Sequence, residues 1–252
     1  MTKGHNHRDQ SSAPVLADAD NISVSEEFDR YSNVYADAVN ESLAFSGLTV
    51  DFFTKVKAAY FIDILNARLG DAATLDVLDV GCGVGIYHGL IGPKVKSLHG
   101  VDISPASIER AKADNLNTHY HLYDGVTLPF KDNSFDAVVT ICVLHHVPPH
   151  LWENFTSEMA RVLRPGGLAV IFEHNPRNPV TMRVVNKCPF DKDAVLLNAA
   201  EAKELLSSAE LAEVEARFIL SIPPMGAALR RIDRLFSPIG LGAQYYAIGR
   251  KA

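Results

Sequence analysis

Apolar positions along the chain follow two rhythms. From residue 24 to 69 they recur at three- and four-residue steps: Phe28, Tyr31, Val34, Tyr35 and Ala38, then Phe52, Phe53, Val56, Tyr60, Ile64 and Leu65. That spacing predicts two helices. Ser46-Gly47 separates them, Asp51 sits near the second start, and Gly70 supplies the stop. From residue 75 the rhythm changes to short apolar or β-branched runs at 75–80, 98–103, 119–123, 135–143 and 168–172. Helical stretches at 86–91, 105–115 and 150–164 lie between them. Strands alternating with helices predict βαβ units and a parallel sheet. Runs with little polar interruption fit strands covered on both faces. Further on, 199–208 reads as a helix, 211–222 as a strand and 244–249 as a last strand, with Pro223-Pro224 breaking the chain. No long helix joins the last two strands, so an antiparallel pair is expected.

Residues 1–22 are polar and read as a solvated tail. Composition sharpens this picture by exclusion. With 47% apolar and 21% charged residues over 252 positions, the chain can bury a full core, and disordered or collagen-like classes drop out. Twenty-four basic against 30 acidic side chains give −6, which offers no global attraction to phosphate backbones. A nucleic-acid partner is therefore not expected. No apolar run is long enough to span a bilayer, and the first twenty residues lack a signal-peptide core. The three cysteines, Cys82, Cys142 and Cys188, are odd in number and widely spaced, which favours a reducing, cytoplasmic setting.

The strongest local signal is Leu78-Asp79-Val80-Gly81-Cys82-Gly83-Val84-Gly85. An apolar strand runs into three alternate glycines, which permit a tight turn and close approach of a ligand to backbone. The dinucleotide pattern G-x-G-x-x-G does not fit, because the sixth position is Ile86. Asp102 ends the next strand, 17 residues after Gly85, where a carboxylate accepts ribose hydroxyls. It also precedes Ser104-Pro105, a helix start, and both roles are compatible. Asp124 ends the third strand. Three successive strand ends thus carry the glycines, Asp102 and Asp124.

At these residues the sequence resembles class I S-adenosylmethionine-dependent methyltransferases of the small-molecule, type 11-like kind. LDVGCGVG (78–85), VDIS (101–104), YDG (123–125), LPFKDNSFDAVVTICVLHHV (128–147) and LRPGG (163–167) carry the resemblance. Val84 departs from it, standing where many members have Thr or Ser. The resemblance implies a Rossmann-like α/β fold: seven mostly parallel strands, the last antiparallel, with helices on both faces. It divides the chain into a tail (1–22), an N-terminal helical lid (23–70) and a cofactor-binding domain (71–252). It implies S-adenosylmethionine as cofactor. Asp79, Gly81, Cys82, Gly83 and Gly85 would line its methionine half, Asp102 its ribose, and Ile103, Asp124 and Gly125 its adenine. Cys142 would lie under the methionine, and Tyr31 and Tyr35 would belong to the lid. LRPGG is read as a helix stop and turn.

In such chemistry the protein orients the reactants, excludes water and sometimes supplies a base. His145 and His146 follow strand four and His174 follows strand five, where a substrate mouth is expected, so all three are candidate bases for a hydroxyl acceptor. Glu173 orients a histidine or touches substrate. The Pro/Asn-rich loop from 173 forms one wall, with Arg177 and Arg183 as contacts for an anionic acceptor. No metal is expected: His5 and His7 lie in the tail, His119 and His121 share a strand face, Pro148-Pro149 interrupt His146 and His150, and no acidic residue completes a set. Arg230, Arg231 and Arg234 read as the polar side of a surface helix. The expected partner is a small-molecule or glycan acceptor, and the chain is expected to be a monomer or homodimer. A nicotinamide-dependent oxidoreductase and a non-catalytic cofactor-binding relative are the alternatives. The first lacks the glycine spacing and any Tyr-x-x-x-Lys pair.

Overall fold

A computed structural model describes residue 29, residues 40–43 and residues 48–252 apart from 225. The tail, and Tyr31 and Tyr35 with most of the first helical stretch, lie outside these residues.

Seven strands form one sheet: β1 Asp76–Val80, β2 Ser97–Asp102, β3 His119–Leu122, β4 Phe135–Ile141, β5 Leu163–His174, β6 Leu211–Ile219 and β7 Gln244–Lys251. Their order is β3-β2-β1-β4-β5-β7-β6. The first five run parallel, and β7 inserts antiparallel between β5 and β6. The expected Rossmann-like architecture is the observed one. The chain winds outward from β1 in both directions, through β2 and β3 on one side and β4 and β5 on the other. That reversal opens a crevice at the carboxyl ends of β1 and β4.

Both faces of the sheet are covered. On one lies α1 (Val50–Arg68), whose Val56, Phe61, Ile64 and Leu65 are buried with Val77, Val139 and Phe172. The second half of the stretch read as a lid is therefore part of the core. On the other face, α4 (Trp152–Val162) contributes Phe155 and Met159, and α6 (Ala199–Ser208) contributes Leu206. The remaining helices are α2 (His88–Ile91), α3 (Pro105–Asp114), α5 (Pro179–Val185) and α7 (Ala227–Phe236). α2 is short because Gly92-Pro93 follow it in a 3-10 turn.

The LRPGG segment differs from its reading as a plain turn. It opens β5: Phe135 pairs with Leu163, the register then jumps, and Ala137 pairs with Leu168. Gly166 at φ +80° makes the kink. A Cβ on Gly167 would stand 2.8 Å from Arg164 O and 2.9 Å from Asp136 O, so the bulge is tight.

The arginines of α7 tie it to its own domain. Arg230 and Arg234 bond Asp63 of α1 at 3.0 and 2.7 Å. Between them, fully buried Asp233 accepts from Tyr60 Oη (2.6 Å) and from the backbone N–H groups of Leu220, Ser221 and Ile222. One carboxylate thus satisfies four donors and fixes the segment leaving β6.

Candidate active site

The glycine loop leaves β1 in the left-handed region, with φ +76°, +51° and +72° at Gly81, Gly83 and Gly85. Two of the three are also hemmed in. A Cβ at Gly81 would lie 2.5 Å from Val143 Cγ1, and one at Gly85 2.6 Å from Tyr120 Oη. At Gly83 a Cβ would meet nothing within 4 Å, so the loop has an open face there. The N–H groups of Gly81 and Cys82 donate to Val101 O on β2, and that of Gly83 donates to Asp102 Oδ2 at 2.8 Å. Asp102 Oδ1 accepts from Ser104 N at 2.9 Å, while Ser104 Oγ caps α3 by accepting from Ser107 N. Asp102 therefore takes part in the helix start before Ser104-Pro105, as its position predicted. A carboxylate has about four acceptor sites, so these bonds and the Ile103 N–H still leave it room to accept. Burial pushes the Asp102 carboxyl up to about 6, against the pull of the Ser104, Gly83 and Ile103 backbone N–H donors.

Asp79, 1% exposed, lies within β1 and pairs through Oδ2 with His88 Nε2 at 3.0 Å; His88 Nδ1 meets Tyr120 Oη at 2.6 Å. Its Oδ1 is buried with no hydrogen-bond partner. The Cys82 thiol turns to β2, where a Cβ on Gly100 would be 2.8 Å from it, so only its backbone belongs to the loop face. Ile103 is half-buried beside Asp102. Asp124 Oδ1 accepts from Val126 N and Thr127 N at 2.8 Å, folding its own turn around Gly125 at φ +80°.

Beyond the loop lies a cavity of about 340 Å³. Phe52, Phe53, Ile86, Val184, Leu220 and Ile222 give it apolar walls. One side is polar: Lys57, Cys142, His145, His146, His174 and Asp191. Cys142, at φ +57°, accepts from Lys57 Nζ at 3.2 Å.

The three histidines expected at the mouth do come together, with His145 4.1 Å from His146 and 5.1 Å from His174 between ring centroids. Glu173 is buried behind them. Its Oε1 accepts from Val143 N at 3.1 Å and its Oε2 lies 2.6 Å from His145 Nδ1. It orients a histidine and does not line the cavity. His145 Nε2 and His146 Nε2 each lie 3.5 Å from Asp191 Oδ1. Burial alone would depress His145, but Glu173 and Asp191 outweigh it and raise it to about 10. Burial and the adjacent His145 charge lower His146 to about 3 and His174 to about 4. Gln244 Nε2 lies 3.3 Å from His174 Nδ1. Arg177 and Arg183 are exposed and not among the cavity-lining residues.

Sequence reasoning missed Asp191, Lys57 and Gln244. Lys57 left a trace, a lysine four residues after Phe53 and four before Phe61 on the apolar stripe. Asp191 lies 45 residues past His146, in a 3-10 turn (Pro189–Asp191), and no local spacing reveals it. Val195 N donating to His145 O at 2.9 Å helps hold that loop against the histidines.

Residues 78–171 match the family model described as a methyltransferase domain. That stretch of the chain is similar to a methyltransferase domain. The matched span runs from the glycine loop through β5. A protein of Mycolicibacterium smegmatis named "Probable S-adenosylmethionine-dependent methyltransferase" is 35% identical over 150 residues, 58% of this chain and 56% of its own. The demethylmenaquinone methyltransferase of Tropheryma whipplei is 36% identical over 108 residues, 42% of this chain and 44% of its own. The chain thus spans about half the length of the curated relatives it matches. Among solved structures, a SAM-dependent methyltransferase from Thermotoga maritima covers 91% of this chain and all of its own, at TM-score 0.65 and 18% identity, and shares the fold of the methyltransferase domain. Among the described residues no helix is long and apolar enough to cross a membrane.

Proposed function

We propose that the chain transfers a methyl group from S-adenosylmethionine to a hydroxyl of a small, largely apolar acceptor held in the 340 Å³ cavity. The observation that carries the reading is Asp102: a buried carboxylate at the end of β2, bonded to Gly83 N–H, with acceptor capacity to spare beside an open glycine turn. That capacity suits ribose hydroxyls. The orphaned Asp79 Oδ1 gives a buried acceptor for a ligand ammonium beside the loop. The residues present fit the cofactor. When bound, it supplies a methyl group already activated on a sulfonium.

The chain's own part is placement and dryness. The glycine loop and Asp102 would hold the cofactor, with its methionine end beside Cys142 on the cavity wall. The apolar walls hold the acceptor and exclude water, which favours an apolar molecule over a glycan. His174 Nδ1 accepts from Gln244 Nε2, which leaves the proton of the neutral ring on Nε2; that N–H donates to the acceptor oxygen and orients it for in-line approach, and the hydroxyl proton leaves to solvent after transfer. His145 stays protonated between two carboxylates and holds the wall together.

Calorimetric titration of the purified chain with S-adenosylmethionine, its demethylated product and NADH tests the cofactor. Micromolar binding of the first two and none of NADH is expected; NADH binding without the adenosyl pair would overturn the reading. Affinity for S-adenosylmethionine should also depend on acid. The ribose contacts need the Asp102 carboxylate, so affinity holds above about pH 6 and falls below it, by up to about tenfold per pH unit. A titration series from pH 5 to 8 that stays flat would remove Asp102 from the binding step.

A further inference from the structure

We propose that His145, His146 and Asp191 form a divalent-metal site, of the zinc type, on the polar wall of the cavity. One donor atom from each residue lies within 4.8 Å of the other two. Both imidazole Nε2 atoms stand 3.5 Å from Asp191 Oδ1. Zinc binds such ligands at about 2.0–2.2 Å in a tetrahedron, which sets neighbouring donors about 3.4 Å apart. Two of the three separations already match. The third closes by a small rotation of His146, whose side chain is 15% exposed where that of His145 is 1% exposed.

Two further features are those of a metal centre. Glu173 Oε2 lies 2.6 Å from His145 Nδ1, which turns the ring so that Nε2 faces the other two donors, the carboxylate–histidine arrangement that orients metal ligands. All three ligands line the cavity, so a fourth coordination position opens towards its contents. Charge also allows it. A divalent ion would displace the proton that His145 holds between Glu173 and Asp191, and with neutral imidazoles it neutralises both carboxylates. Two nitrogens and one carboxylate oxygen are borderline donors that suit zinc, cobalt or nickel better than magnesium or calcium. On the methyl-transfer reading, the open position would take an oxygen of the acceptor; the metal site itself does not depend on that reading.

The test is metal binding by the full chain, carrying His5→Ala and His7→Ala so that the tail contributes no imidazole. After chelator treatment and desalting, the protein is titrated with zinc by calorimetry, and with cobalt by visible absorption. One equivalent of zinc at micromolar affinity or tighter is expected, with cobalt bands of low coordination number. His146→Ala and Asp191→Asn should each weaken zinc binding at least tenfold, and Glu173→Gln about 10- to 100-fold. A His99→Ala/His121→Ala variant, which breaks up the group His99, His119 and His121, should bind as before. Circular dichroism and a melting curve confirm that each variant is folded. Asp191 lies on a loop, so Asp191→Asn keeps the test open if His146→Ala does not fold. No binding at micromolar zinc, or binding that survives both His146→Ala and Asp191→Asn, overturns the proposal. Because the readout is the ion, failure here is distinct from failure to bind S-adenosylmethionine.

Discussion

Asp102→Ala should raise the Kd for S-adenosylmethionine by at least about a hundredfold. Hydrogen bonds to a charged group contribute about 1.5–3 kcal/mol each, and two ribose hydroxyls are lost together. Each 1.4 kcal/mol is tenfold in affinity, so a hundredfold is the low end. The substitution also strands Gly83 N–H and Ser104 N–H, both of which donate to this carboxylate. An unpaired buried donor costs about 1–3 kcal/mol, so the variant should melt earlier as well. Asp102→Asn separates the effects: it keeps the shape and one acceptor, should lose roughly tenfold in affinity, and should flatten the dependence on pH. Calorimetry with melting curves reads all three. Binding by Asp102→Ala within threefold of the native chain would sink the assignment.

Gly81→Ala should be the most damaging small change in the loop. A left-handed backbone costs a non-glycine residue about 1–2 kcal/mol. The new methyl would also stand 2.5 and 2.7 Å from the two γ-carbons of Val143, and overpacking of this kind costs about 1–3 kcal/mol. At roughly 2–4 °C per kcal/mol for a chain of this size, the melting temperature should fall by about 5–15 °C. Adding Val143→Ala should recover the steric part and leave the dihedral part. Gly83→Ala is the contrast. Its Cβ enters open space, so stability should change by only about 1–2 kcal/mol while cofactor affinity falls, because that space is where the ligand approaches. Equal melting temperatures for Gly81→Ala and Gly83→Ala would show that Val143 gives way.

The half of the site proposed to bind the cofactor was legible because its determinants are local. A strand, alternate glycines and an acid at the next strand end are all written within 25 residues, 78–102. The acceptor half is assembled at long range. Asp191 reaches His145 from a loop 46 residues on, Lys57 reaches Cys142 from α1, and Gln244 reaches His174 from β7. Periodicity found α1 but not its position, because a helix that seals a cavity and a helix that packs on a sheet show the same stripe. Arginines 177 and 183 show the opposite case: their loop does border the cavity through Asn178 and Val180, yet both are exposed and not among its lining residues. The bulge in β5 was hidden because Pro165 and two glycines look like a loop in any register.

The insertion of β7 between β5 and β6 sets a timetable for biosynthesis. β5 ends at His174 and its neighbour begins at Gln244, so about 70 further residues must be translated before that edge is paired. At about 5–20 residues per second, a nascent chain carries the apolar run from Leu168 to Phe172 with one side open for several seconds. An open edge of that kind recruits strands from other chains. The same strand brings Tyr245 beside Glu173 and Gln244 beside His174. The cofactor loop can take shape early on the ribosome, while the wall facing the acceptor waits for the arrival of β7.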